Sequence, residues 1–303
     1  MQLAATSCLS SSTAESYLSF HSAGELCKAR LRRDSVLSTR LRSAHLVLDG
    51  SRLKGPPPCE PGQLTFYTHT LCPYAERVWL TLLEKGAPFQ LVQVDLSDKP
   101  RWYRSVNSSG LVPAIEHKGT FHTESMGICR WIDASLEGPA LMPADDVGQQ
   151  QAEALLRAKD SIVSSGLSLA SGSDSRSWGI GSRPTGAQRK AFESSLQALS
   201  TSLEQHGGPF LLGPQLTLAD LVLLPFMERF DLVTREFLGM RLETMHGGRV
   251  QAWLEGLRQR PSCRTASADR RLLLEAYREH RSLDFFDYQT YSAAACHPQL
   301  AYL

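Results

Sequence analysis

One cysteine occupies a position at which a thiol can become a nucleophile. Cys72 follows a short apolar run, Leu64–Thr68, and precedes Pro73, where an amphipathic segment begins. Proline at the first helical position needs no amide hydrogen, so this pattern predicts Cys72 at or just before the N-cap of a helix. A thiol there faces unpaired backbone N–H groups and the positive end of the helix dipole, which lower its pKa from about 8.5 to about 3.5–7.5. Cys72 is therefore the candidate nucleophile.

A structural role is the alternative for Cys72, because cysteine is among the residue types most often buried. The order of strand, turn, Cys-Pro and helix favours a reactive thiol, since a structural cysteine needs no helix N-terminus. Ala75 stands three residues further on, where a second cysteine would complete a Cys-X-X-Cys pair. Any disulfide that Cys72 forms must therefore be resolved by an external thiol.

Length and composition limit the classes of protein that this chain can be. Its 303 residues suffice for two ordinary domains, and its formal net charge of +1, without a basic stripe, gives no support for nucleic-acid binding. The seven cysteines are scattered and odd in number, so neither a disulfide framework nor a zinc site is expected. The longest apolar window, residues 218–227, is too short to span a bilayer. We expect a soluble protein in a reducing compartment, with no metal, nucleic-acid partner or membrane partner.

The first 46 residues differ in composition from the rest of the chain. Residues 1–46 are rich in serine and arginine, poor in acidic residues and without a long apolar stretch. This composition is typical of an organelle transit peptide, and a merely disordered segment is the alternative. We expect a plastid location, with the mitochondrion or the cytosol as alternatives. Residues 47–62, which include three consecutive prolines, are expected to form a linker into the first domain.

The hydrophobic pattern of residues 63–137 predicts a first domain with the element order βαβαββα. Strands are expected at 64–68, 89–95, 112–115 and 120–122, and helices after Cys72 and over 100–106 and 125–136. Pro113 lies in one of these strands, where a proline lacks the ladder donor and is usually an edge, turn or cis residue. Ser125 stands at a predicted helix start, where serine ordinarily acts as an N-cap.

Residues 145–280 have the pattern of a helical second domain. Helices are expected over 149–162, 187–206, 218–232, 250–258 and 269–278, with a Gly/Ser-rich loop at 164–183 and a tail at 281–303. Thr217 and Asp220 form a capping-box arrangement at the start of the most apolar helix. We therefore expect a structural role for Asp220.

Two stretches resemble the cysteine-containing glutathione transferases. The sequence CPYAERVW at residues 72–79 and the sequence PFMERF at 225–230 are most similar to the lambda class, which is related to the omega and dehydroascorbate reductase classes. The resemblance extends over roughly residues 47–280. It implies an α/β thioredoxin-like N-terminal domain followed by an all-α C-terminal domain.

The same resemblance implies a glutathione site. Val112, beside a cis Pro113, would pair through its N–H and C=O with the cysteinyl backbone of glutathione. Glu124 would take the γ-glutamyl ammonium and the helix N-terminus with Ser125 the γ-glutamyl carboxylate, as the chemistry of these groups allows. Lys99 matches a basic residue of the omega class that meets the glycyl carboxylate.

Several of these residues have simpler alternatives. In these alternatives the residues have no role in binding: Pro113 is an ordinary trans proline, Ser125 is a plain N-cap and Lys99 is a solvated surface charge. Tyr74 and Arg77 stand near the predicted helix start and could shape the site, although Arg77 is equally a surface charge.

The activity implied is that of a glutathione-dependent thiol transferase, with dehydroascorbate reductase activity as a further possibility. Glutathione would be the co-substrate, and Cys72 would take it from glutathionylated small molecules or proteins as a mixed disulfide. A transferase that conjugates glutathione to electrophiles is one alternative, and a non-catalytic carrier of flavonoid-like ligands is another. We expect a monomer.

Overall fold

The computed structural model describes residues 47–58, 63–96, 98–172, 183–245 and 248–280. The predicted transit peptide at 1–46, the tail at 281–303 and part of the predicted loop, residues 173–182, lie outside the described residues. So do Cys8, Cys27, Cys59 and Cys296.

A five-stranded mixed sheet forms the first half of the described chain, with strand order β1-β3-β2-β4-β5. The strands are β1 Val47–Asp49, β2 Leu64–Thr68, β3 Phe89–Gln93, β4 Ala114–His117 and β5 Thr120–Thr123. Strands β1, β3 and β2 run parallel, and β4 and β5 are antiparallel. The predicted linker at 47–62 therefore begins with an edge strand. Three residues are too few to show the alternation that identifies a strand in sequence.

Three helices cover the two faces of this sheet: α1 Pro73–Lys85, α2 Tyr103–Val106 and α3 Ser125–Ser135. On one face, Phe66 of β2 packs against Trp79 of α1, with ring centroids 6.4 Å apart. On the other face, Tyr67 packs against Tyr103 of α2 at 5.7 Å. Alternate residues of one strand thus bury against helices on opposite sides, which confirms the predicted thioredoxin-like arrangement.

The second half is helical, as predicted. Its helices are α4 Asp146–Ser171, α5 Gly186–His206, α6 Leu218–Phe237, α7 Gly248–Arg258, α8 Pro261–Ala266 and α9 Arg270–His280. Helix α6 is buried around most of its circumference, which explains why its sequence is the most apolar of the chain. The short helix α8 was not predicted, and α2 is shorter than the predicted helix over 100–106. No helix in the described ranges is long and apolar enough to cross a membrane.

The loop predicted at 164–183 is wrong for its first part, because α4 continues to Ser171. The serine hydroxyls there hydrogen-bond to backbone carbonyls inside the helix, as Ser164 does to Ser161 at 3.1 Å. Gly166 lies against α6, and a Cβ at this position would stand 2.3 Å from the Phe230 ring. Tertiary packing therefore overrides a Gly/Ser composition that by itself favours a loop.

Candidate active site

The loop before α1 places Cys72 at the N-cap, as the sequence predicts. The Cys72 N–H donates to the His69 carbonyl at 2.9 Å, and the Glu76 N–H donates to the Cys72 carbonyl at 2.9 Å to begin the helix. Cys72 has extended backbone angles, and Pro73 takes the first helical position. The thiol is therefore attached where the helix begins, next to the backbone N–H groups of the first turn.

His69 shapes the loop before Cys72, a role that the sequence did not reveal. Its side chain is buried, and its Nδ1 accepts the Leu71 N–H at 3.2 Å. Burial lowers the pKa of His69 to about 4, although the nearby Asp95 opposes this shift. The imidazole is therefore neutral at physiological pH. With Nδ1 already engaged in the loop, His69 holds the turn before Cys72.

The peptide bond Val112-Pro113 is cis, which confirms one of the two conformations considered for Pro113. The Cys72 Sγ lies 3.9 Å from the Val112 carbonyl oxygen, so the thiol and this peptide are neighbours. The preceding loop is fixed at the Leu111 carbonyl, which accepts from Tyr103 Oη and from Asn107 Nδ2, each at 2.8 Å. Asn107 was missed as a site residue, although the turn-forming sequence NSSG at 107–110 was a usable signal.

A cavity of about 140 Å³ opens beside this peptide. It is lined by Tyr74, Asn107, Leu111, Val112, Pro113, Glu124 and Ser125. Five of the six predicted binding residues thus meet in one cavity, and Lys99 is the sixth. Cys72 does not line the cavity itself and is 1% exposed, and its Sγ lies beside the carbonyl of Val112, which does line the cavity.

Lys99 is exposed and lies at the edge of the same region. Its Nζ is 3.7 Å from the point where a Cβ on Gly110 would stand, which places it beside the loop that leads to Leu111. A long flexible side chain at that position can reach an anion bound over the loop.

Glu124 and Ser125 begin helix α3. Ser125 is the first helical residue and Glu124 is the N-cap, so the alternative of Ser125 as a plain N-cap is wrong by one position. Glu124 has φ 70° and ψ 108°, a conformation that non-glycine residues rarely adopt and that tends to occur at functional sites. Its carboxylate is exposed and makes no capping bond within the described structure. An anionic group and a helix N-terminus therefore lie next to each other in the cavity wall.

Arg77 is buried at the joint between the two halves, so its interpretation as a surface charge is wrong. Its Nε donates to the Val222 carbonyl of α6 at 2.7 Å. Its guanidinium lies 4.4 Å from the centroid of Phe226 and 5.3 Å from that of Tyr74, whose rings meet edge to face at 5.0 Å. Tyr74 is thereby held at the cavity, and burial raises the pKa of its hydroxyl, which stays protonated.

The other two cysteines in the described part of the chain lie within helices and not at an N-cap. Cys129 and Cys263 are buried, and burial raises the pKa of Cys129 to about 11 and that of Cys263 to about 12. Both are protonated at physiological pH and inert as nucleophiles. Within the described ranges, no group of three or more His, Cys, Asp or Glu residues is placed to hold a metal ion.

A larger cavity, of about 240 Å³, lies between residues 140–151 and 212–217. Its lining holds neither cysteine nor histidine, and its carboxylate, Asp145, accepts the Gly148 N–H at 2.8 Å as a helix cap. The cavity beside Val112-Pro113 is therefore the better candidate for a site of chemistry.

The chain is similar to known proteins over both halves. The family described as "Glutathione S-transferase, N-terminal domain" matches residues 71–135, and "Glutathione S-transferase, C-terminal domain" matches residues 149–256. Glutathione S-transferase L3 of Arabidopsis thaliana is 30% identical over 227 residues, which are 74% of this chain and 90% of the relative. Glutathione S-transferase L2, chloroplastic, of the same plant is 31% identical over 255 residues, 83% of this chain and 81% of the relative. The crystal structure of glutathione transferase Omega 3C from Trametes versicolor matches with a TM-score of 0.61 and 26% identity, covering 70% of this chain and 91% of that one.

Proposed function

Because the chain belongs to the glutathione transferase family, we propose that this enzyme uses Cys72 to remove glutathione from mixed disulfides. The observation that carries the proposal is the thiol at the N-cap of α1, 3.9 Å from the carbonyl of a cis Val112-Pro113 peptide. A hydroxyl there could only hydrogen-bond to the sulfur of glutathione. A thiol can form a covalent bond with it.

The reaction consists of two thiol–disulfide exchanges. The Cys72 thiolate attacks the glutathionyl sulfur of a substrate disulfide, a Cys72–glutathione disulfide forms, and the substrate leaves as a thiolate that takes up a proton. A second glutathione, as its thiolate, then attacks the glutathionyl sulfur on Cys72. Oxidised glutathione leaves and the Cys72 thiolate is restored. The sum consumes one mixed disulfide and one glutathione and yields one thiol and one oxidised glutathione.

The cavity wall, together with Lys99 near its edge, offers complementary groups to each part of glutathione. The backbone of Val112 would pair with the cysteinyl unit, which brings its sulfur towards Cys72. The γ-glutamyl carboxylate would lie at the N-terminus of α3 by Ser125, and its ammonium at the carboxylate of Glu124. Lys99 would meet the glycyl carboxylate. Tyr74 of α1, whose ring packs against Phe226 of the helical half, would cover the sulfur.

Intact mass after incubation with oxidised glutathione tests the proposal. One glutathione adduct is expected on the wild-type protein and none on Cys72→Ser. Cys263→Ser is the matched control, because it removes a buried thiol of raised pKa, and it should keep the adduct.

Turnover of the same variants distinguishes this activity from the two alternatives. Thiol transfer from a glutathionylated peptide should be lost with Cys72→Ser. Conjugation of a chlorinated aromatic electrophile that survives the substitution would instead favour a conjugating transferase. Tight binding of a flavonoid, with neither activity in the wild type, would favour a carrier. Reduction of dehydroascorbate, measured alongside, would extend the activity to the second reaction expected of the family.

We further propose that the protein is located in plastids. The composition of residues 1–46 supports this location, and the relative L2 is named chloroplastic. Fusion of residues 1–46 to a fluorescent protein should direct it to plastids in a plant cell. Cytosolic or mitochondrial fluorescence would contradict the proposal.

A further inference from the structure

The sequence PFMERF on helix α6 carries an arginine that the proposed chemistry does not use. Arg229 is completely buried, and its guanidinium reaches across from the helical half to the loop before α1. Its Nη2 donates to the Leu71 carbonyl at 2.9 Å, and its Nη1 donates to the Glu76 carboxylate at 2.9 Å. Nη1 also donates to the Pro225 carbonyl of its own helix at 2.7 Å.

The two partners of Arg229 in the first half lie on either side of the reactive thiol. The Leu71 carbonyl belongs to the peptide unit that contains the Cys72 nitrogen. Glu76 supplies the N–H that closes the first helical hydrogen bond, onto the Cys72 carbonyl. One guanidinium therefore contacts the backbone before Cys72 directly and the helix after it through the Glu76 side chain.

The energetics of this pair indicate a role in geometry. Burial raises the pKa of Glu76, and the guanidinium of Arg229 opposes that rise. Because desolvation of both charges cancels much of their attraction, a buried ion pair is often no more stabilising than apolar residues of similar volume. What apolar residues could not supply is a directional bond to the Leu71 carbonyl.

We propose that Arg229 is a positioning residue for Cys72, through which the helical half holds the thiol at the N-terminus of α1. This inference rests on the proposed role of Cys72 as the nucleophile. It assigns to the helical half a part in the reaction.

A second ion pair joins the same two halves and provides the matched control. At the other end of α1, Arg260 contacts the Glu84 carboxylate through both Nε, at 2.8 Å, and Nη2, at 2.6 Å. Ser262 also donates to Glu84. This contact resembles that of Arg229 in chemistry, but it lies near the C-terminus of α1, away from Cys72.

Arg229→Lys and Arg260→Lys separate positioning from stability. Each substitution keeps the positive charge and removes the planar set of N–H donors of the guanidinium. The rate of Cys72 alkylation by iodoacetamide is measured against pH by peptide mass. The midpoint of this curve reports the pKa of the thiol, and the rate at its plateau reports how accessible the thiolate is to the reagent. For Arg229→Lys we expect the midpoint to rise by about one pH unit, as the thiol moves away from the helix N-terminus. We also expect kcat for thiol transfer to fall about tenfold, with KM within about twofold, because misplacement of a reacting group acts on the chemical step.

Arg260→Lys should lower the melting temperature and leave the midpoint and kcat unchanged. A wild-type midpoint and kcat in Arg229→Lys would overturn the inference, as would equal shifts in both variants. If Arg229→Lys does not fold, Glu76→Gln with Arg229→Gln removes both charges together and should show the same rise in midpoint. Cys72→Ser separates the two proposals: activity that survives it contradicts the proposed function, whereas its loss together with a wild-type Arg229→Lys contradicts only the positioning role.

Discussion

Two helix N-termini in this molecule differ in whether a side chain caps them. At the start of α6, the Asp220 carboxylate accepts from the Thr217 N–H at 2.9 Å and the Thr217 hydroxyl at 2.8 Å. It also accepts from the Leu211 N–H at 2.9 Å and from Trp253 Nε1 at 2.8 Å. At the start of α1, Cys72 makes no side-chain capping bond within the described structure, and its thiol lies beside a cavity wall.

The difference between the two helix starts agrees with the roles proposed for them. The carboxylate of Asp220 is fully engaged in hydrogen bonds, and the helix start is buried and structural. At the α1 start, His69 and Arg229 bond to the loop that precedes Cys72. The Cys72 Sγ lies 3.9 Å from the Val112 carbonyl oxygen, and in the proposed function it is the group that reacts. In the proposed function, the helix N-terminus that serves as a site is the one whose preceding loop is bonded by other residues and whose N-cap side chain makes no capping bond.

Replacement of the thiol should have the largest effect. Cys72→Ser should lower thiol transfer from a glutathionylated peptide by on the order of a thousandfold, because a serine hydroxyl does not exchange with disulfides. Initial rates measure this, with Cys129→Ser as the control, since that thiol is buried with a raised pKa. A Cys129→Ser variant as inactive as Cys72→Ser would mean that the two thiol environments do not differ as described.

Asp220→Ala should destabilise the fold by about 2–3 kcal/mol, because several buried donors lose their acceptor together. Chemical unfolding measures this, and kcat of the folded protein should stay near the wild-type value. Asp220→Asn, which keeps an acceptor oxygen, should cost less. A large loss of kcat without loss of stability would place Asp220 in the reaction and remove the contrast between the two helix starts.

Ser125→Ala tests whether the start of α3 resembles that of α1 or that of α6. Because Glu124 is the N-cap, the substitution should change stability little. A hydrogen bond to the charged γ-glutamyl carboxylate is worth about 1.5 kcal/mol, so KM for glutathione should rise about tenfold. Thermal melting and steady-state kinetics separate the two effects. A fall in melting temperature with unchanged KM would make this helix start structural.

Local patterns in the sequence predicted much of the fold and the positions of most residues in the candidate site. The apolar run before Cys72, the Pro73 that follows and the Thr217–Asp220 box each depend on residues within a few positions, and the structure confirms the helix starts that they predict. The two-half architecture followed from periodicity and from the resemblance.

Contacts between distant segments could not be predicted in this way. Gly166 looked like a loop residue, and its place in a helix depends on Phe230, which lies far along the chain. Arg77 has the pattern of a surface charge until Val222 and Phe226 are placed over it. Leu71 gives no sign that Arg229 binds its carbonyl, since a backbone acceptor has no signature in sequence.

Acid should act on the α1 start through His69. His69 has its pKa lowered by burial from 6.5 to about 4, so its neutral form stabilises the fold fully above about pH 6.5, and this contribution is lost as the pH falls towards 4. Protonation also removes the Nδ1 acceptor for the Leu71 N–H. Between pH 7.5 and pH 5 we expect the titration of His69 to remove about 2 kcal/mol of stability, which lowers the melting temperature by several degrees. The fall should be smaller in His69→Asn, whose amide oxygen can replace Nδ1 without titrating. Equal falls in both proteins would show that His69 does not set the acid response of this loop.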